Sequence, residues 1–236
     1  SKKVAAGSTH LLIDIPVGDS AKIHSTQEAL KLRKLFEYIG DLFALHIEAI
    51  ITDGSQPIGN GVGPALEAID VQQVLSNQKE APADLREKSL RLAGRILEFD
   101  PDVRGGQGYV IARDILESGR AFEKMKAIIL AQGKRQTKEC QLPLEYAVTA
   151  QKNGYIHAIN NLKVAKIASL AGAPIDKLAG IYLSKKVGDK VLKGDTLFTI
   201  YACFKSEFGF AKQLAAEGAV YTIKTEVPTK NDNYFI

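Results

Sequence analysis

The chain has 236 residues, 45% hydrophobic and 25% charged, the balance of an ordinary folded protein with length for one large or two modest domains. Residues 1–140 carry 19 basic and 19 acidic side chains, so the net charge of +4 falls wholly on residues 141–236, whose 12 basic groups are all lysine. Without arginine forks or interleaved aromatics this is a solvated lysine surface and argues against nucleic-acid binding, and no apolar run is long enough to cross a bilayer.

Residues 1–18 read as a helix end running straight into a buried strand. Leu11, Leu12, Ile13 and Ile15 form an apolar run that wants cover on both faces, as inside a parallel sheet. We therefore expect the C-terminal portion of a larger enzyme, with part of the sheet and of the active site upstream. No charged leader precedes an apolar stretch, so the expected location is cytoplasmic. Ser25-Thr26-Gln27-Glu28 has the capping-box pattern and opens a helix through Leu30, Leu35, Ile39 and Phe43. The β-branched run from Ile47 to Thr52, closed by Asp53-Gly54, completes a βαβ unit, right-handed by default.

Residues 53–64 are glycine-rich and enter a helix from Ala65 to about Ser76. Such a loop at a strand's C-terminal end is where α/β sheets take ligands, yet neither a P-loop nor a GxGxxG register is met. A tight chain reversal is the other reading. Helices follow at 85–99, 108–117 and 120–131, the last with a stripe of Phe122, Met125, Ile128 and Ile129 read as core.

A proline and a polar stretch put a boundary near residue 140. Beyond it, residues 144–151 and 154–160 suggest a hairpin turned by Asn153-Gly154. A helix over 162–171, strands near 181–184 and 196–201, a helix over 206–216 and a strand over 220–227 complete the reading. The predicted architecture is α/β, part of a mixed or parallel sheet covered by helices over 1–140, followed by a smaller α+β domain over 141–236. Cys140 and Cys203 have no CxxC or Cys/His spacing, which supports neither a disulfide framework nor a zinc site. His10, His24, His46 and His157 suggest neither a triad nor a metal pair.

The order of several motifs resembles one family. They are Ser1-Lys2-Lys3; Ile13-Asp14-Ile15-Pro16-Val17-Gly18 with Ala21-Lys22; Thr52 through Ala68; Ser118-Gly119-Arg120-Ala121 with Ala131-Gln132-Gly133; and residues 171–177 with Ala179-Gly180-Ile181. The chain resembles the C-terminal half to two-thirds of the pyrimidine-nucleoside (thymidine) phosphorylase family, most closely its longer branch, which includes archaeal-type AMP phosphorylases. The resemblance implies a pentosyltransferase carrying out reversible phosphorolysis, with inorganic phosphate as co-substrate and no organic cofactor. It also implies a small-molecule nucleoside or nucleotide as partner, and a homo-oligomer when full length. Thymidine or a related pyrimidine nucleoside is the expected substrate, with AMP the alternative. In the family a lysine of the SKK motif contacts the base, and Lys2 matches it; a solvated terminal lysine is the other reading.

Departures from the family pattern narrow this. The Lys-His-Ser-Thr-Gly-Gly phosphate loop does not occur in the chain, nor does the upstream arginine and serine that complete base binding. Catalytic residues are therefore expected upstream, and the lone chain is expected to be inactive. Long-branch relatives often have arginine where Asn60 stands, and Lys134 replaces a usual glycine. Some short-branch relatives bind a monovalent cation through two backbone carbonyls and a carboxylate, which map to Ile58, Gly61 and Asp70. Asp70 is one methylene shorter than the usual glutamate, so either a potassium site or a plain surface carboxylate fits. A rival reading is a lipoyl- or biotinyl-like carrier module, because residues 187–191 and 193–197 carry VGD and KGD turns. The Met-Lys-Met and Asp-Lys-Ala tripeptides of such carriers do not occur.

Overall fold

The computed structural model describes residues 2–103, 105–133, 143–218 and 220–228. In chain order its elements are α1 (Lys2–Ala5), β1 (His10–Val17), α2 (Thr26–Leu42), β2 (His46–Asp53), β3 (Gly61–Val62), α3 (Pro64–Leu75), α4 (Ala83–Leu97), α5 (Gln107–Glu117) and α6 (Arg120–Gln132). Then come β4 (Leu144–Thr149), β5 (Gly154–Ile159), α7 (Asn161–Leu170), β6 (Gly180–Leu183), β7 (Lys190–Val191), β8 (Thr196–Ala202), α8 (Lys205–Ala216) and β9 (Tyr221–Lys224). The fold is mixed α/β, as read from the sequence. The boundary expected near residue 140 lies outside the described residues, as do Ser1, Lys134 and Cys140. Among the described residues no helix is long and apolar enough to cross a membrane.

Two compact units emerge. One holds the described residues up to Ser55 with Glu87–Ile115; the other holds Gln56–Arg86 and those from Leu116 onward.

In the first unit β1 and β2 pair in parallel, from His10↔His46 to Val17↔Asp53, with α2 as their connection. Burial of Ile15, Val17, Ala29, Ala49 and Ile51 makes its core, against which Ile13, Ile23, Leu32 and Phe36 pack. Ser25 caps α2, its Oγ accepting the Glu28 N–H at 3.2 Å, while the Glu28 carboxylate accepts from His24 N–H at 3.0 Å. The return bond thus lands one residue before the cap itself, a small variation on the capping box. Gly94 of α4 and Gly108 of α5 touch backbone to backbone: a Cβ on Gly108 would stand 2.1 Å from the Gly94 oxygen.

The second unit contains two antiparallel sheets, ordered β3-β6-β8-β4 and β7-β5-β9. Its core includes Ile156, Val164, Ile167, Ile181, Leu183, Val191, Phe198, Ile200 and Ala211. From Phe198 to Ala202 β8 alternates buried and half-buried positions, the period-two pattern of a strand with one face in the core, while Leu197 ahead of them is buried too. β3, which belongs to the glycine-rich stretch, pairs Gly61↔Tyr182 and Val62↔Ile181.

Two expectations are corrected. The strands flanking Asn153-Gly154 do not form a hairpin: β4 pairs with β8, and β5 with β7 and β9. Gly154 serves a close approach instead, since a Cβ there would lie 2.4 Å from the Lys224 oxygen, and Asn153 Oδ1 accepts the Lys193 N–H at 2.7 Å. Nor does the α6 stripe enter a core. That helix buries none of its residues, and Ile128 and Ile129 are 44% and 46% exposed. Helical spacing marks a face able to be covered; it does not supply the cover.

Candidate functional site

Lys2 opens α1, a single turn whose carbonyl at Lys2 accepts the Ala6 N–H at 3.1 Å and which Gly7 ends at φ 78°. The turn buries none of its residues, and both Lys2 and Lys3 are exposed just ahead of β1. An exposed ammonium on a short turn offers three donors that a ligand can orient. Lys2 belongs to the first unit, whereas Ile58, Gly61 and Asp70 belong to the second.

The first unit also contains a polar cluster that the sequence reading did not single out. Asp14 of β1 accepts the Thr52 hydroxyl on Oδ1 at 2.5 Å, and its Oδ2 lies 2.6 Å from Lys88 Nζ. Lys88 also donates to Thr52 Oγ1 at 3.1 Å, and Thr52 is 1% exposed. A buried hydroxyl with both a donor and an acceptor is satisfied, so these three side chains hold one another near the C-terminal ends of the two strands. The available signal was an aspartate interrupting the apolar run of β1, with a threonine two residues beyond its register partner Ile50.

Around the glycine-rich stretch the central group is Asp70. It sits on α3, is 2% exposed, and accepts the N–H groups of Asn60 at 2.6 Å and Gly61 at 2.7 Å, both on Oδ2. A plain surface carboxylate is thereby excluded. Its Oδ1 is buried and has no hydrogen-bond partner among the described residues. Gly61 is buried, with no room for a Cβ beside the Leu66 backbone, whereas Ile58 is 37% exposed. The structure therefore brings Gly61 directly to Asp70. An unpaired carboxylate oxygen is the kind of hard donor that an alkali cation takes, so the residues present fit a potassium ion.

The loop is tied down on its other side. Lys186 Nζ donates to the carbonyl oxygens of Pro57, at 2.9 Å, and Gly59, and lies 3.0 Å from Asp84 Oδ2. Asn60 joins β6 through its carbonyl, which accepts the Leu183 N–H at 2.8 Å. Gly63 and Gly180 make a reciprocal close approach: a Cβ on Gly63 would meet the Ala179 oxygen at 2.4 Å, and one on Gly180 the Val62 oxygen at 2.2 Å. The reversal reading of these glycines is thus physically accounted for.

The VGD and KGD patterns are turns of one design. Asp189 Oδ2 accepts the Lys186 N–H at 2.8 Å and Asp195 Oδ2 the Leu192 N–H at 3.0 Å, with Gly188 and Gly194 at φ 97° and 96°. Each aspartate closes its own backbone turn, which is why the pattern repeats. Nearby, burial raises the Tyr221 phenol far above its ordinary range, and its hydroxyl donates to the Lys185 carbonyl at 2.8 Å. Burial, then the Glu145 carboxylate and Tyr182, raises that of Tyr201.

Residues 155–222 match the family described as the pyrimidine nucleoside phosphorylase C-terminal domain, which encloses both turns. A protein of Methylococcus capsulatus named "Putative thymidine phosphorylase" is 56% identical over 223 residues, covering 94% of this chain and 43% of its own length. Proteins of the same name from Albidiferax ferrireducens and Rhodopseudomonas palustris are each 54% identical, over 94% of this chain and 43% and 44% of their own lengths. The chain spans less than half the length of these relatives. Taken with the domain match, these similarities support a thymidine phosphorylase-family C-terminal region for this chain.

Proposed function

We propose that the chain is the base-contacting and C-terminal part of an enzyme that splits thymidine or a related pyrimidine nucleoside with inorganic phosphate. A phosphate oxygen bonds to the anomeric carbon as the glycosidic C–N bond breaks, giving free base and (deoxy)ribose 1-phosphate. Negative charge gathers on the departing base, so a cationic donor there stabilises the transition state more than the ground state. Lys2 takes that role. Phosphate is held by residues outside this chain, which by itself is expected to be inactive, and the whole protein is expected to act as a homo-oligomer. The observation that carries the reading is identity above half across 94% of the chain with the Methylococcus capsulatus relative.

A potassium ion is proposed at Asp70 Oδ1, with the Ile58 and Gly61 carbonyls as the other ligands that the resemblance implies. It would neutralise the buried carboxylate.

The test uses the whole protein, incubated with phosphate and either thymidine or AMP while free base is measured. Thymine release supports the proposal; adenine from AMP alone overturns the choice of substrate, and base from neither overturns the enzymatic reading. Lys2→Ala should lower kcat/KM for thymidine by about 100-fold, the loss typical of one transition-state donor.

A further inference from the structure

Lys186 stands where a dissolved cation could stand. Its ammonium is surrounded by two backbone carbonyls, of Pro57 and Gly59, and by the Asp84 carboxylate. The same Asp84 Oδ2 accepts the Gly59 N–H at 3.3 Å, so both backbone polar groups of Gly59 are held. Lys185, its neighbour in sequence, is committed elsewhere, 3.7 Å from Asp195. Two carbonyls and one carboxylate around a single positive charge make an oxygen donor set for a monovalent ion, and ammonium and potassium are close in size. Lys186 is three-quarters covered, its side chain being 25% exposed, so the charge is partly withdrawn from water. Immediately after these residues come the Asn60 and Gly61 amides that Asp70 binds.

We propose that Lys186 is a tethered monovalent cation, a positioning residue that fixes the backbone at Pro57 and Gly59 and so presents the Asn60 and Gly61 amides to Asp70. The charges divide accordingly. Lys186 answers Asp84 and the two carbonyls, leaving Asp70 Oδ1 for another partner.

The test is rescue of Lys186→Ala in the full chain, with thermal unfolding followed at constant chloride in ammonium, potassium or tetramethylammonium. In tetramethylammonium the variant should melt about 4 °C or more below the unsubstituted chain. Ammonium or potassium should restore at least half of that loss, beyond any response of the unsubstituted chain, and Lys186→Arg should need no such rescue. Equal responses of variant and unsubstituted chain to the three cations overturn the proposal. The same comparison on an Asp70→Asn background separates it from potassium at Asp70: a response seated on Asp70 disappears there, while rescue of Lys186→Ala persists. If Lys186→Ala does not fold, competitive acylation of the unsubstituted chain decides. Lys186, whose ammonium is engaged by two carbonyls and a carboxylate, should then react several-fold more slowly than Lys185, whose one ion pair is 3.7 Å long, and equal rates overturn the idea. The readouts are stability and reactivity, so a protein that splits neither thymidine nor AMP would leave this inference standing.

Discussion

Asp70 closes on the amide of Gly61 at 2.7 Å, so the acid within α3 anchors the strand that leads into the same helix. Asp70→Ala would leave the buried Gly61 N–H and the half-buried Asn60 N–H without this acceptor. At about 1–3 kcal/mol per unsatisfied group, a loss of about 3 kcal/mol is expected in urea unfolding. Asp70→Asn keeps an acceptor oxygen and should lose less than half as much. An unchanged urea midpoint for Asp70→Ala would refute the anchoring role.

Thr52 bridges Asp14 and Lys88 from a position 1% exposed. Thr52→Val keeps the shape but removes the hydroxyl, and should cost about 1 kcal/mol. A double-mutant cycle between Asp14 and Lys88 should return a coupling of about 1 kcal/mol that weakens with added salt, because both side chains keep some contact with water. Zero coupling at low salt would show that the 2.6 Å approach contributes nothing to stability.

Gly180 has φ 154°, and a Cβ there would lie 2.2 Å from the Val62 oxygen. Gly180→Ala should therefore push β3 off β6 at a cost of about 3 kcal/mol, near the upper end for a single substitution. Gly105→Ala serves as a control, because its φ is 64° but nothing lies within 4 Å of the added carbon. It should cost only about 1 kcal/mol, the ordinary penalty of a left-handed backbone. Chemical denaturation of the pair separates steric conflict from backbone strain.

Burial raises the Tyr221 pKa well above its ordinary value of 10.0. In the unfolded chain the phenol ionises near that value, whereas in the fold it keeps its proton. Its contribution is thus fully present below pH 10.0 and is lost as pH rises from there toward the folded pKa. Phenolate absorbance should show this residue ionising only together with unfolding. Tyr221→Phe should flatten the alkaline limb of the stability curve, while removing the donor to the Lys185 carbonyl lowers stability near neutral pH by about 1 kcal/mol. An alkaline limb identical in both proteins would count against the assignment.

The legible parts of the fold were those written in local periodicity. The apolar run of β1, the Ser25 cap and the β-branched run of β2 specify a parallel pair joined by a helix. Partner choice among the C-terminal strands was not legible, because Asn153-Gly154 satisfies a hairpin rule locally while Gly154 answers to Lys224, far along the chain. At the candidate site, the mapping of Asp70 onto a cation ligand came from motif order, but its two amide partners depend on the backbone path of the loop. Lys186 was hidden for the same reason: a lysine ahead of a VGD turn looks like solvent-facing text, and only folding brings it to Pro57 and Gly59. The Asp14, Thr52 and Lys88 cluster joins three separate elements, and no spacing rule connects them.

The membership of β3 in the sheet built on β6, β8 and β4 has a practical outcome for recombination between homologues. A chimaera crossing over near residue 140 would pair one parent's Gly61–Val62 with the other parent's Ile181 and Tyr182, and would hand Lys186 a foreign loop. Grafts that carry residues 56–86 along with the C-terminal piece keep that seam native. They should yield soluble hybrids more often than grafts cut near residue 140 alone.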